Sequence, residues 1–180
     1  QSVYDKNRNS FDYKAKFKKI DEIRAMCWKL VEIQGNLYAV TNDGIYLING
    51  SKAKLQLSGN FMSISKMSFF PDNILIGSKD GLLIASVEDS KIDTLGYVKN
   101  YSYSTRTICE DFFGNFWLGT SEDGLFQLSF FSGLNLNPDI ISFAEKTGLP
   151  EDYDWIDVFP SFQGVLFATN KGVYRYSYQG

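Results

Sequence analysis

The sequence contains no histidine among its 180 residues. Histidine is the commonest general base and the commonest metal ligand in proteins. Its absence excludes Ser-His and Cys-His catalysis and histidine-based zinc sites within this chain. We therefore predict no catalytic residue, no metal site and no cofactor.

Long apolar runs and helical patterns are also missing. No apolar run approaches the roughly 20 residues that span a bilayer. No window places apolar residues at i, i+3, i+4 and i+7 between helix caps, and the nearest approach is residues 141 to 146. Four prolines against 15 glycines suit many short hairpins. We predict an all-β chain with no membrane contact within this segment.

Cysteine is scarce, with only Cys27 and Cys109 present. The two residues occupy unlike places in the strand pattern, so we interpret them as buried free thiols. A disulfide in an oxidising compartment is the alternative. Their spacing matches no metal or redox motif.

Basic residues do not dominate the sequence, whose net charge is −3. A nucleic-acid partner needs a basic face, so we predict none. One local exception places Lys14, Lys16 and Lys18 at period two. We interpret it as an edge strand protected from aggregation by its lysines, with an anionic-ligand strip as the alternative.

The sequence does contain a motif that occurs four times, which we call the repeat phrase. In each copy, a short apolar strand follows a Gly or Asn turn and leads into a second turn that ends at a glycine. The clearest copy is ICEDFFGNFWLGT at residues 108 to 120. The closing glycines, which we assign to structural turns, are 37, 43 and 48 residues apart: Gly44, Gly81, Gly124 and Gly172. Strand repeats of this period are typical of β-propeller blades.

The repeat also predicts the domain organisation. We expect an N-terminal strand or edge segment at residues 1 to 23 and propeller repeats at 24 to 180, each an antiparallel meander of at least three strands. The repeats fall at about 24 to 50, 61 to 87, 101 to 129 and 153 to 178. A four-bladed ring and part of a larger propeller both fit this count. The chain starts without Met and stops after a strand, so we favour the larger propeller.

Two segments resemble a known family. The phrase EDFFGNFWLGT at 110 to 120, followed by DGLF at 123 to 126, resembles the two-component regulator propeller repeat. The stretch ISFAEKTGLP at 141 to 150 is similar to that family's start of a new blade. The resemblance covers residues 24 to 178. The third repeat matches closely, whereas Tyr38 and Leu75 replace its Trp in the first two repeats, and Ala168-Thr169 replaces Gly-Thr in the fourth.

The resemblance implies a function. That repeat fills the periplasmic sensor regions of hybrid two-component proteins in gut-type Bacteroidetes. It implies a non-catalytic periplasmic segment that recognises a small carbohydrate and signals to a histidine kinase. The implied partners are neighbouring propeller or sandwich domains of the same protein and a second copy in a homodimer. The alternatives are a propeller scaffold for protein–protein interaction and a carboxylate-dependent enzyme acting on polysaccharide.

Candidate ligand-binding residues come from the blade topology. In a meander, the connection into the innermost strand and the turn between the second and third strands reach one face, where propellers usually bind. The aromatic rings there can stack on sugars, and the charged groups can hold hydroxyls, a carboxylate or a sulfate. These candidates are Tyr103, Arg106, Asp152, Tyr153, Asp154 and Trp155. The competing interpretation has Tyr153 and Trp155 packing between blades.

Overall fold

The computed structural model describes residues 3–4, 11–12, 17–143, 148–150 and 154–177. Every regular element in these residues is a strand, which confirms the all-β prediction. Strand β1 (Val3–Tyr4) pairs with β2 (Phe11–Asp12), and the other strands form four antiparallel sheets. In the described part of the chain, no helix has the length and apolar character of a membrane crossing.

The four sheets follow one another along the chain, and the strands of each pair in chain order. The first sheet contains β3 (Cys27–Ile33), β4 (Asn36–Thr41), β5 (Gly44–Asn49) and β6 (Lys52–Ser58). The second contains β7 (Phe61–Lys66), β8 (Asn73–Ser78), β9 (Gly81–Glu88) and β10 (Lys91–Tyr97). The third contains β11 (Thr105–Glu110), β12 (Phe116–Thr120), β13 (Leu125–Ser129) and β14 (Asp139–Ser142). The fourth contains β15 (Ile156–Ser161), β16 (Gly164–Thr169) and β17 (Gly172–Arg175).

The sheets are arranged as the four blades of a β-propeller, as the four repeats predict. The first strand of each sheet, which we call its inner strand, lies against the inner strand of the next sheet. Three hydrogen bonds join these neighbours. They run from Lys29 Nζ to the Ile64 carbonyl at 3.0 Å, from Ser63 Oγ to the Thr105 carbonyl at 3.2 Å, and from the Val158 N–H to Thr107 Oγ1 at 3.0 Å.

A hydrogen bond recurs in all four blades and explains the repeated phrase. The hydroxyl at the end of each second strand donates to the carbonyl of the closing glycine and accepts an N–H from the turn between them. The pairs are Thr41 with Gly44 at 2.7 Å, Ser78 with Gly81 at 3.0 Å, Thr120 with Gly124 at 2.7 Å, and Thr169 with Gly172 at 3.3 Å. Glycine suits the closing position because Gly124, for example, has a φ of 91°.

Three apolar clusters fill the spaces between successive sheets. Tyr38 and Val40 of the first sheet pack with Ile64 and Ile76 of the second. Leu75 and Ile84 of the second sheet pack with Phe116 and Leu118 of the third. Trp117 and Leu125 of the third sheet pack with Val158 and Phe167 of the fourth. The second and third sheets therefore direct alternate residues of their strands to the neighbouring sheet on either side.

Two glycines allow the inner strands to approach closely. A Cβ on Gly77 would collide with the Thr105 carbonyl, and a Cβ on Gly119 would collide with the Ile156 carbonyl. The equivalent position is Val40 in the first sheet and Ala168 in the fourth. Glycine is therefore required where the backbone of the next inner strand lies directly over the second strand.

The two faces of the first sheet are covered to different extents. Tyr38 and Val40 point towards the second sheet and are buried, whereas Leu30, Leu37 and Trp28 are exposed. Within the described residues, no strand packs against that second face. Within β4, this second face is buried at Ala39 and exposed at Leu37.

The window closest to a helical pattern is partly a strand. Ile141 and Ser142 belong to β14 and pair with Gln127 and Phe126 of β13. Residues 144–147 lie outside the described residues. The start of this window therefore adds a fourth strand to the third sheet.

Both cysteines are free thiols, but only one is buried. Cys109 packs between the third and fourth sheets. The prediction that Cys27 is buried is wrong, because this residue starts the inner strand of the first sheet, where it is exposed.

Candidate functional site

The candidate residues that the structure describes lie at one end of the sheets, which we call the upper face. Each inner strand starts beside the end of the second strand of its own sheet. The paired residues are Cys27 with Thr41, Phe61 with Ser78, Thr105 with Thr120, and Ile156 with Thr169. The segments leading into the inner strands therefore emerge beside the glycine-closed turns.

Three side chains of the upper face form what we call the Arg106 cluster. Arg106 lies in β11, and its Cζ is 5.3 Å from the centre of the Trp155 ring. Its Nε lies 3.2 Å from Oδ1 of Asp157. Trp155 and Asp157 flank the first residue of β15, so the alternation of a strand carries both to the same side. The cluster thus bridges the third and fourth sheets.

The cluster combines a partly exposed cation with a more buried anion. The Arg106 side chain is 38% exposed and the Asp157 side chain 15%. Oδ1 of Asp157 has no hydrogen bond of favourable angle, so its contact with Arg106 is an ion pair. Burial raises the pKa of Asp157, and the Arg106 charge opposes that rise. The pair leaves little net charge beside the Trp155 ring.

Asp154 makes a different kind of contact. The Asn170 side-chain amide donates to Asp154 Oδ2 at 2.6 Å, and the Asp154 N–H points to Asn170 Oδ1 at 3.3 Å. Asn170 belongs to the turn after β16. Asp154 therefore fixes the start of β15 to that turn and supports the position of Trp155.

Tyr103 packs against two other aromatic residues of the third blade. Its ring stacks on Phe126 with centroids 4.6 Å apart and meets Tyr101 edge-on at 5.4 Å. The Tyr101 hydroxyl lies 2.9 Å from Thr105 Oγ1. Tyr103 remains 38% exposed, so part of its ring still faces solvent at the upper face.

Several predicted residues cannot be placed. Asp152 and Tyr153 lie outside the described residues, as do Lys14 and Lys16 of the lysine pattern. Lys18 is exposed and belongs to no strand. The acidic residues Glu122 and Asp123 sit in a glycine-closed turn, where the Asp123 N–H donates to Thr120 Oγ1 at 2.9 Å.

Burial shifts the pKa values of two further ionisable groups, Cys109 and Lys29. Within the described residues, no three His, Cys, Asp or Glu side chains gather to hold a metal ion. Burial raises the pKa of the Cys109 thiol to about 11, so this thiol stays protonated at neutral pH. Burial likewise lowers the pKa of Lys29, whose amine donates to the Ile64 carbonyl. Lys29 therefore joins two inner strands, and Cys109 lies in the core between the third and fourth sheets.

Sequence reasoning missed Asp157. Its signal was a lone acidic residue inside the apolar strand Ile156-Asp157-Val158, which implies a partner for its charge. That partner is Arg106, which lies 51 positions earlier in the sequence.

Solved structures with a similar fold are extracellular domains of signalling proteins. One is described as the extracellular domain of the one-component system BT4673 from B. thetaiotaomicron. It matches with a TM-score of 0.67 at 14% identity and covers 83% of this chain and 20% of that one. A second is described as the extracellular domain of the hybrid two-component system BT4673 from B. thetaiotaomicron. Its TM-score is 0.63 at 15% identity, with 83% and 20% of the two chains covered.

These matches establish the fold that the resemblance implied. The chain spans about one fifth of the length of the solved chains. No protein-family model matches the sequence, and no curated protein sequence does.

Proposed function

We propose that this chain is a non-catalytic, extracytoplasmic sensor segment that binds a carbohydrate at the Arg106 cluster and signals to a histidine kinase. The arrangement of Arg106, Trp155 and Asp157 at the upper face carries the proposal. The similarity to extracellular domains of signalling systems supports the sensory part.

The chemistry of the cluster suits a sugar. An indole ring offers an apolar face to the C–H groups of a pyranose. A guanidinium donates hydrogen bonds and a carboxylate accepts them, so Arg106 and Asp157 together match neighbouring hydroxyl groups. Because Asp157 offsets the charge of Arg106, we expect neutral sugars to bind better than uronic or sulfated ones.

Signalling would proceed by a shift between arrangements of rigid domains. Blades packed through the three apolar clusters resist internal deformation, so a bound sugar acts by favouring one packing of the propeller against a neighbouring domain or a second copy. A ligand that prefers one arrangement about 100-fold supplies roughly 2.7 kcal/mol. That energy biases a kinase equilibrium without remodelling a blade.

The test is the thermal midpoint of unfolding with matched neutral and acidic oligosaccharides. A ligand at 100 times its dissociation constant adds about 2.7 kcal/mol, which raises the midpoint of a chain of this size by roughly 5 to 10 °C. We expect a shift with a neutral sugar that is lost in Trp155→Ala and in Arg106→Ala.

Trp28→Ala and Arg24→Ala are the matched controls, because both residues lie on the first sheet or before it. Both control variants should still show the rise in thermal midpoint with the neutral sugar. A shift with every sugar class that survives Trp155→Ala and Arg106→Ala would place the site elsewhere, and no shift with any sugar would contradict carbohydrate binding by this segment.

A further inference from the structure

The end of the sheets opposite the upper face carries a group of exposed phenylalanine rings. This lower face contains the turns that follow the inner strands and the loop between β13 and β14. Four rings there are each 68 to 88% exposed, and we call them the aromatic face: Phe69, Phe112, Phe131 and Phe162. Polar residues are the usual occupants of turns. The exposed rings therefore need an explanation outside the fold of the turns.

A cleft opens within the aromatic face, between the turns of the second, third and fourth blades. Its volume is about 320 Å³, and we call it the Glu110 cleft. Its lining includes two carboxylates, two rings and a proline: Glu110, Asp111, Phe69, Phe112 and Pro160. Phe69 also borders a second cleft of about 300 Å³ that reaches Phe131. The surface thus combines apolar walls with negative charge.

Glu110 is a partly buried carboxylate whose hydrogen bonds come from neutral groups. The Ser68 N–H lies 3.1 Å from Oε1 and 3.0 Å from Oε2, and the Ser68 hydroxyl donates to Oε2 at 2.6 Å. Among the described residues, no lysine or arginine forms an ion pair with Glu110, whereas Asp157 is paired with Arg106. A carboxylate held partly away from water is costly unless a cation offsets its charge. Glu110 therefore favours a cation from a binding partner.

The described side chains of the Glu110 cleft accept hydrogen bonds but have no free donor to offer. The Ser68 hydroxyl already donates to Glu110, and the Ser161 hydroxyl donates to the Gly164 carbonyl at 2.7 Å. A sugar hydroxyl both donates and accepts, so it suits the Arg106 cluster better than this cleft. A lysine ammonium or an arginine guanidinium only donates and carries a positive charge. These two groups match the cleft.

The walls of the cleft suit the rest of such a side chain. The methylene stem of a lysine or arginine packs along apolar surface while its charged end stays at a polar group. The faces of the Phe69 and Phe112 rings also attract a nearby cation. A basic side chain in the cleft would therefore contact both the rings and the Glu110 carboxylate.

The turns that form the cleft are held in place before any partner binds. Asp111 accepts the N–H groups of Phe113 and Asn115, each at 2.9 Å. The Phe69 ring lies over Gly114, where a Cβ would collide with it. A site that is already ordered loses little conformational entropy on binding.

The exposed area around the cleft indicates a polypeptide rather than a small ion. At roughly 200 Å² for a phenylalanine residue, the exposed fractions of the four rings give about 600 Å². The largest apolar patch of a typical monomer is about 300 to 600 Å². A stable protein–protein interface buries about 800 Å² on each partner. The rings therefore offer most of the area that a bound segment would cover.

The carboxylate argues against two other occupants of this surface. In a two-fold symmetric contact between copies, a charged group near the axis meets its own copy, and like charges repel. An anionic lipid surface attracts basic groups and would repel Glu110 in the same way. A cationic partner gains attraction where these two meet repulsion.

We propose that the aromatic face binds a basic and apolar segment of another protein, which places one lysine or arginine in the Glu110 cleft and large apolar residues over the surrounding rings. This site lies at the opposite end of the sheets from the Arg106 cluster. It does not depend on sugar binding, and both sites can be occupied at once.

An NMR titration of the 180-residue chain with two matched peptides tests the proposal. Both have about 12 residues, blocked ends and one central lysine between two pairs of leucines; in the second, acetylation of the lysine removes its charge. The Ser68 amide, which donates to Glu110, reports on the site. We expect saturable shifts at this amide, and a dissociation constant about tenfold or more higher for the acetylated peptide, because charge-assisted hydrogen bonds are the strong ones.

Glu110→Gln tests the carboxylate itself. Glutamine has a similar shape and can still accept the Ser68 N–H, so the spectrum should stay that of a folded chain. Both peptides should then bind about equally, which isolates the pairing of the lysine with Glu110. Glu122→Gln is the matched control, because it removes an exposed carboxylate from the upper face and should keep the difference. Phe112→Ser should weaken both peptides by a similar factor.

Several results would overturn the proposal: no binding of either peptide at about 5 mM, equal affinities in the parent, or a preference for lysine that survives Glu110→Gln. A dimer, or binding to phosphatidylcholine vesicles, that is lost in Phe112→Ser would assign the surface another occupant and overturn it too. A measurement on the parent alone does not require the variants to fold. The difference between the peptides should shrink from about 50 to 500 mM NaCl, and a difference independent of salt would contradict the ion pair.

Discussion

The first and third sheets are built from the same repeat, yet they hold equivalent residues in different environments. Leu30 and Ile108 occupy the same place in their inner strands, but Leu30 is 59% exposed and Ile108 only 5%. Leu37 and Phe116 differ likewise in the second strands, at 40% and 2%. The third sheet has neighbours on both sides, whereas the first packs against the second sheet alone among the described residues.

The difference shows that the repeat determines the strands and turns of a blade, but not how far each face of that blade is buried. Strand alternation, the hydroxyl-to-glycine hydrogen bond and the turns are local and recur in every copy. Coverage of each face depends on the adjacent sheet, which lies about 40 residues away in sequence. Sheets with one covered face should therefore differ in solution from sheets covered on both faces.

The largest difference should appear when equivalent apolar residues are truncated. Ile108→Ala leaves a cavity between the second and third sheets, and we expect it to lower the free energy of unfolding by about 2 to 5 kcal/mol. Leu30→Ala removes a similar side chain from an exposed face and should cost less than about 1 kcal/mol. Urea denaturation of both variants measures the difference. Equal losses would mean that the outward face of the first sheet is covered in solution.

A smaller effect should follow from adding one methyl group at Gly119. The new Cβ collides with the Ile156 carbonyl, so Gly119→Ala should lower the free energy of unfolding by about 1 to 3 kcal/mol. Ala168→Val adds volume at the equivalent place in the fourth sheet, whose outward face is open, and should cost less than about 1 kcal/mol. The same urea titration compares them. A larger loss in the free energy of unfolding for Ala168→Val than for Gly119→Ala would mean that the outward face of the fourth sheet is covered in solution.

The two thiols should differ in their rate of labelling by a disulfide reagent at pH 8. Cys109 is buried, and burial raises its pKa to about 11, so few molecules carry the reactive thiolate. Cys27 is exposed and should react first. Mass spectrometry of the labelled peptides, with Cys27→Ser as the control, assigns the sites. Equal rates would show that the third blade opens as readily as the first.

The smallest effect concerns pH at the fourth sheet, which is also covered on one face. Burial raises the pKa of Asp157, so the folded chain holds a proton there more tightly than the unfolded chain does. This contribution to stability is present below the ordinary carboxyl pKa and is lost as the pH rises through the folded value. Asp157→Asn cannot titrate, so its stability relative to the parent should increase between about pH 3 and 7. A difference that decreases with pH would show that the Arg106 ion pair outweighs burial.

The sequence predicted the fold well because its signals are local. The glycine-closed turns and the Thr or Ser at the end of each second strand are contiguous in the chain, and they mark four blades. The burial of Cys27 was predicted wrongly because the sequence of an apolar strand does not show whether its sheet has neighbours on one side or on both. Its exposure depends on which sheet lies beside it.

The candidate site was predicted less completely for the same reason. The blade topology placed Arg106 and Trp155 at one face, and the structure brings them into contact. Asp157 was missed because its pairing with Arg106 joins two blades. The sequence also did not predict the exposure of Phe112 and Phe113, which lie within the repeat phrase.

The hydrogen bonds between inner strands have a mechanical consequence. Ser63 and Thr107 bridge the second, third and fourth sheets with short side chains, over glycines that allow close backbone approach. The inner strand of the first sheet is joined to that of the second by the long side chain of Lys29, and the first sheet has Val40 where the second and third sheets have glycine. The inner strands of these three blades are therefore held at close range by short side chains, whereas the inner strand of the first blade is held by one long and flexible side chain. Where the blades shift against each other without unfolding, the inner strands of the first and second blades should separate most.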